Sequence, residues 1–330
     1  MTSDNLIKRN VSLKEKTTLK VGGKANYYIE VKSVVELIET LNFACSKDLK
    51  VLVIGDGSNI VIPDSGFDGV VIRVIIKEII ITKETEDFVL INAGAGVNWD
   101  DFVEYCVSNN YWGIENLSLI PGTVGAFPVQ NVGAYGQVAG SVVSEVHVVD
   151  KKNNQVKTLT NNECKFSWRS SIFNTEDKNK YIISHVSFKL LKKHSPQLSR
   201  LDLKREVYRL CGIRNMKSTQ NKSIQQLNIR QAVINLRTSG EKLPNCETEY
   251  NTGTFFRALS IKKSQFFKLA LKLLINYGLV VTFKALGYRL KYGVGDSFIL
   301  PSALLLKKFK TIKSKNKNFQ LFKKNPAVLI

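Results

Sequence analysis

Two glycine-bearing stretches hold the residues best suited to chemistry. The first, Gly55-Asp56-Gly57-Ser58-Asn59-Ile60, follows the apolar run 51–54. The second, 113–137, holds five glycines and two prolines and has few charges. Glycine lets the backbone approach a ligand closely and adopt positive φ, so that successive N–H groups face an anion. In the second stretch Pro121-Gly122 and Gly133-Ala134-Tyr135-Gly136 bracket an uncharged segment containing Gln130 and Asn131. Those two amides suit a flat heteroaromatic ring that carries both donors and acceptors. Alone, 55–59 is as readily a surface turn. The two stretches together favour function, because a long neutral loop is uncommon without one.

Known phosphate loops do not fit. A dinucleotide fingerprint would need glycine at 60, where Ile60 stands, and 94–99 has Trp99 in the third glycine position. The chain has no G-x-x-x-x-G-K-[ST] run. The Rossmann and P-loop readings therefore fall. The cysteines, Cys45, Cys106, Cys164, Cys211 and Cys246, are scattered and never paired as C-x-x-C, and the histidines are His147, His185 and His194. This pattern points to free thiols in a reducing cytosol rather than to a disulfide framework or a zinc site.

The elements that must position these residues follow from periodicity. Residues 17–31 end in an alternating, aromatic-rich run that reads as a strand, 34–49 have helical spacing, and 51–62 read as strand, glycine turn and second strand. Strands are expected within 69–82 and 88–96, and an amphipathic helix over 98–110 with Asn98 or Asp100 as its cap. A hairpin fits 144–160 and a strand 181–191. Basic, helix-compatible sequence follows, so the main boundary is placed at 192–202. No apolar run is long enough to span a bilayer and no signal peptide is visible, so a cytoplasmic protein is expected.

The net charge is +20, and residues 251–330 carry sixteen Lys/Arg against one acid, Asp296. Three readings stay open: a nucleic-acid surface, a pocket for an anionic substrate such as a nucleotide-sugar diphosphate, and compositional drift in a Lys/Asn/Ile-rich chain. No zinc finger or RNP-type motif accompanies the basic patch, so no nucleic-acid partner is expected.

GDGSNIVI (55–62), ENLSLIPGTVGAFPVQNVGAYG (115–136) and CKFSWRSSIF (164–173) resemble the UDP-N-acetylmuramate dehydrogenases, also called UDP-N-acetylenolpyruvoylglucosamine reductases. The resemblance implies an α+β fold. It would comprise a two-part FAD-binding region of the vanillyl-alcohol-oxidase type over 1–192 (about 1–75 and 76–192) and a smaller C-terminal substrate domain over 202–330. It also implies non-covalent FAD, NADPH as co-substrate, and UDP-N-acetylglucosamine enolpyruvate as substrate, in peptidoglycan synthesis. FAD would be held by Gly55, Asp56, Gly57, Ser58, Asn59, Ile60, Pro121, Gly122, Thr123, Gly125, Ala126, Gln130, Asn131, Gly133, Ala134, Tyr135 and Gly136.

Arg169 stands where the family has its catalytic arginine, with Trp168 in place of tyrosine. By the same resemblance Arg169, Lys242 and Asn251 bind substrate, and Thr254 replaces the serine that protonates the intermediate. Three further positions depart: Ala258 for an asparagine, Arg200 for a tyrosine and Ala327 for a glutamate. A lost acid/base costs about 10²–10⁴-fold in rate. The alternative is thus a flavin-binding relative with weak or lost activity.

Overall fold

A computed structural model describes residues 7–214 and 224–239, and the backbone of 259–262 and 297–300. Two sheets are built from the strands expected, with one addition. The first has the order β1 (Lys8–Ser12), β2 (Lys24–Val31), β4 (Phe67–Val74), β3 (Lys50–Ile54). Here β2 and β3 both run parallel to β4, while β1 is antiparallel to β2. The second is antiparallel throughout, in the order β10 (Val156–Thr160), β9 (Val143–Asp150), β11 (Tyr181–Leu191), β6 (Phe88–Gly94), β5 (Ile79–Glu84).

α1 (Val34–Ser46) and α2 (Trp99–Ser108) pack their apolar stripes into the core that both sheets share. The Ser33 hydroxyl caps α1, and Asn98 caps α2 by accepting from the N–H groups of Asp100 and Asp101. Trp99, Phe102, Phe127 and Phe188 form the aromatic centre of this core. Val71, on the other face of β4 from Val70 and Ile72, joins a smaller cluster with Leu13, Tyr28, Ile54 and Ile62 beneath the 55–59 turn.

One local reading changes, and one strand is new. Residues 59–62 form no strand and lead into Pro63. Its carbonyl accepts from Gly23 and Gly66 and closes a turn that delays β4 to Phe67. β1 is almost wholly exposed and shows no alternation, so only its pairing with β2 makes it a strand.

α3 (Leu201–Leu210) and α4 (Gln226–Thr238) pack on each other through Leu203, Val207, Tyr208, Ile229 and Val233, and on Trp112 and Tyr135. They belong to a compact unit, Met1–Asn251, and a second unit covers Thr252–Ile330. In that second unit β12 (Leu259–Lys262) pairs antiparallel with β13 (Ser297–Leu300). Among the described residues no helix is long and apolar enough to cross a membrane.

Glu206 ties the helical pair together: its carboxylate accepts from Arg209 Nε at 2.9 Å and from Asn235 Nδ2 at 2.8 Å. The Arg209 and Asn235 hydrogen bonds lower its pKa from 4.5 to about 2. A depressed carboxylate pKa stabilises the fold above the unfolded value, and that contribution is lost as pH falls towards the folded value. Acid titration of stability should therefore show a component falling between pH 4.5 and about 2. Glu206→Gln should flatten that component.

Candidate functional site

The first turn grows out of β3. Ile54 is buried, and the chain then leaves the sheet through Gly55 to Asn59. Asp56 faces inward to Arg73 on β4, 3.0 Å away, so its charge is paired before any anion approaches. Gly57 has φ +66°, and its carbonyl accepts from the Thr18 N–H at 3.2 Å. A Cβ there would lie 2.1 Å from the Lys16 carbonyl oxygen. Asn59 is exposed, while Ile60 packs against the small cluster below.

This turn meets the second stretch directly. Ser58 Oγ donates to the Pro121 carbonyl at 3.3 Å. A Cβ on Gly55 would fall 2.7 Å from Thr123 Oγ1, and one on Gly122, at φ +129°, 3.2 Å from Ser58 Oγ. The second loop is anchored below: Trp99 N–H donates to Gly122 O (3.0 Å), Val124 N–H to Val97 O (2.9 Å) and Gly125 N–H to Ala95 O (3.0 Å). Gly125 packs against Ala95, leaving Pro121 and Ala126 exposed.

Farther along, β7 (Gly133–Ala134) and β8 (Gln137–Val138) form a hairpin with Tyr135 and Gly136 at its tip. Both tip residues have positive φ, +47° and +91°, as the tightest hairpin turns require. Gln130 is half-buried and Asn131 buried. The Asn131 amide donates to Ser167 O at 2.9 Å and accepts from Gly140 N at 2.8 Å, so part of its capacity holds the loop itself.

Trp168 and Arg169 are the central residues of a tight turn closed by Ser167 and Ser170. Positive φ at Arg169, +52°, turns it back toward the loop, where Nη2 donates to Gly133 O at 3.1 Å. Ser171 Oγ donates to Val129 O at 2.6 Å, so three bonds bolt 167–171 onto 129–133. Arg169 is half-buried, and burial draws its guanidinium below the usual value. Among the described residues it has no carboxylate partner. A guanidinium in such a place is fitted to receive an anionic group from a ligand.

Sequence reasoning passed over the frame beneath this loop. Glu115, wholly buried, accepts from Gly113 N and from Gln137 Nε2, each at 2.8 Å. Asn116 donates to Tyr135 O at 2.9 Å and to Gln197 O at 2.7 Å. No local signal marks the pairings of Glu115 with Gln137 or of Asn116 with Tyr135 and Gln197, which lie 19 to 81 residues apart. Arg200 forms an ion pair with Asp202 and sits over the Tyr135 ring at 4.8 Å. Lys242, Asn251, Thr254, Ala258 and Ala327 lie outside the described residues.

The geometry fits a dinucleotide with a flat ring. Close glycine backbones at 55–57 and 122–125 leave no room for side chains, the one acid of the first turn, Asp56, is paired with Arg73, residues 121–137 carry no charge, and the Arg169 cation stands by Gly133. The FAD binding domain family matches residues 25–159, which contain both loops. The UDP-N-acetylenolpyruvoylglucosamine reductase of Bdellovibrio bacteriovorus is 36% identical over 257 residues, covering 78% of this chain and 73% of its own.

The chain belongs to the UDP-N-acetylenolpyruvoylglucosamine reductase family.

The reductase of Flavobacterium johnsoniae is 37% identical over 79% of this chain and 73% of its own. That of Thermobifida fusca is 35% identical over 90% and 80%. The crystal structure of UDP-N-acetylenolpyruvylglucosamine reductase from Thermus caldophilus shares the fold: the TM-score is 0.53 at 22% identity, covering 77% of this chain and 75% of that one. The α+β FAD-binding fold expected for the family is thus the fold of this chain, and its cofactor is FAD. The match to the Thermobifida reductase spans 300 residues. Such extents favour a working reductase over a relative that has kept only flavin binding.

Proposed function

We propose that the chain reduces UDP-N-acetylglucosamine enolpyruvate to UDP-N-acetylmuramate with NADPH, in the cytoplasm, as a step of peptidoglycan synthesis. One observation carries this reading: the 55–59 turn touches the 121–123 turn, and the second loop continues to Gly133, whose carbonyl accepts from a half-buried Arg169 that has no acidic partner among the described residues. FAD, when bound, would supply the hydride-transfer chemistry that the reaction needs.

The chain's own residues do the rest. Gly55 to Ile60 and Pro121 to Thr123 would hold the diphosphate end through close backbone approach, with Gly125, Ala126, Gln130, Asn131 and Gly133 to Gly136 along the ring. Arg169 would pair with the substrate carboxylate and stabilise the charge that develops beside it. By the family resemblance, Lys242 and Asn251 would contact the nucleotide sugar, and the Thr254 hydroxyl would be the proton donor. Threonine can donate as serine does, although its methyl group restricts χ1.

The test is NADPH oxidation by the purified, FAD-loaded protein. It should proceed only when the enolpyruvyl substrate is present. A rate with substrate no higher than the rate without it rejects the proposal.

A further inference from the structure

Leu119 is the residue at which the chain enters the 121–125 turn, and it has φ +59°. A leucine disfavours that region, because its Cβ crowds the backbone. Something outside the turn must hold it there, and both of its backbone polar groups are taken by charged side chains. The Leu119 N–H donates to Asp100 Oδ1 at 2.5 Å. The Leu119 carbonyl accepts from Arg237 Nε at 3.2 Å.

Asp100 is itself gripped. Arg230 meets it in a two-pronged pair, Nη1 to Oδ1 at 2.6 Å and Nη2 to Oδ2 at 3.0 Å. The Arg230 side chain is 8% exposed and that of Asp100 23%. Asn98, not Asp100, caps α2, which leaves the Asp100 carboxylate free for this task. Burial alone would push that carboxyl up in pKa, but Arg230 and the Leu119 N–H outweigh it and hold the group below the usual range. The neighbouring Trp99 N–H fixes Gly122 O, so the start of α2 holds the loop on both sides of Pro121.

The arrangement joins three distant parts of the chain: α2, the loop, and α4, which lies well past the end of the FAD binding domain match at 159. We propose that Asp100, Arg230 and Arg237 are positioning residues, which lock Leu119 at positive φ and thereby set the 121–125 turn for FAD. This rests on the assignment of that turn to FAD. It adds that FAD affinity is controlled from α4 by side chains that need not touch the cofactor.

The test is FAD titration of the full-length apoprotein, followed by flavin fluorescence and by visible circular dichroism of the bound ring. Asp100→Asn removes the charge pairing yet keeps the shape, and it should raise the Kd by about tenfold or more, the scale of a lost charged hydrogen bond. Arg237→Gln, which disturbs the carbonyl side alone, should raise it several-fold and serves if Asp100→Asn fails to fold. The decisive variant is Leu119→Gly. Glycine accepts positive φ without support, so Asp100→Asn or Arg237→Gln placed in that background should return to within about threefold of Leu119→Gly alone. A merely structural ion pair would weaken binding equally in both backgrounds, and that result overturns the proposal. So does an unchanged Kd in Asp100→Asn and Arg237→Gln. A parent chain that takes up no FAD overturns the cofactor assignment and the clamp together, whereas failure of the variants alone overturns only the clamp.

Discussion

Arg169→Ala is expected to lower kcat/KM by about 10²–10³-fold, the loss that follows removal of one charged or polar group facing developing negative charge. The guanidinium is half-buried, its one protein hydrogen bond is to Gly133 O at 3.1 Å, and no acid neutralises it among the described residues. Most of its charge is thus available to a ligand. Loss of the Gly133 bond, made by a charged donor, should cost about 1.5–3 kcal/mol of stability, so the thermal midpoint should fall by several degrees with the fold retained while turnover collapses. Arg169→Lys should recover only part of the rate, because an ammonium cannot offer the planar fork that matches a carboxylate. Steady-state kinetics beside thermal melts separates the two effects. Turnover within about threefold of the parent would remove Arg169 from the chemistry.

Gly57→Ala should produce a large structural effect. The added Cβ would fall 2.1 Å from Lys16 O and 2.8 Å from Thr17 Cα, both backbone atoms that cannot swing aside. The position also sits at φ +66°, where any side chain is strained. Overpacking alone costs about 1–3 kcal/mol, and the strained backbone conformation adds to it. Denaturant unfolding should show a loss of at least about 2 kcal/mol, and the purified variant should retain little FAD. Alanine at Gly212 is a useful control, since nothing lies within 4 Å of a Cβ there, although its φ of +68° leaves some strain. Equal losses at both sites would mean that conformation, not the contact with 16–17, is what Gly57 supplies.

The legible part of this protein was its turn chemistry and its periodicity. Alternation identifies β2, apolar spacing identifies α1 and α2, and Asn98 announces the start of α2. The two glycine loops stand out because glycine at positive φ or in close contact has no substitute, and Gly57 and Gly122 meet that condition. What the sequence hides is set by distant partners. β1 is exposed and gains its strand character from β2. The run 59–62 looks like a strand, but the chain there leads into a turn in which the Pro63 carbonyl accepts from Gly23 and Gly66, groups the local pattern does not announce. Glu115 and Asn116 look like loop residues, and their role depends on Gln137, Tyr135 and Gln197 arriving from elsewhere. The positive φ of Leu119 has no local cause at all, because the groups that hold it come from α2 and α4.

The most direct test of the central claim is amide hydrogen exchange of the apoprotein with and without FAD. If the two glycine turns jointly cradle the cofactor, peptides covering 55–59, 121–126 and 131–136 should slow together at one FAD concentration. FAD binding that slows none of them, or that protects one turn and leaves the other untouched, would contradict the account.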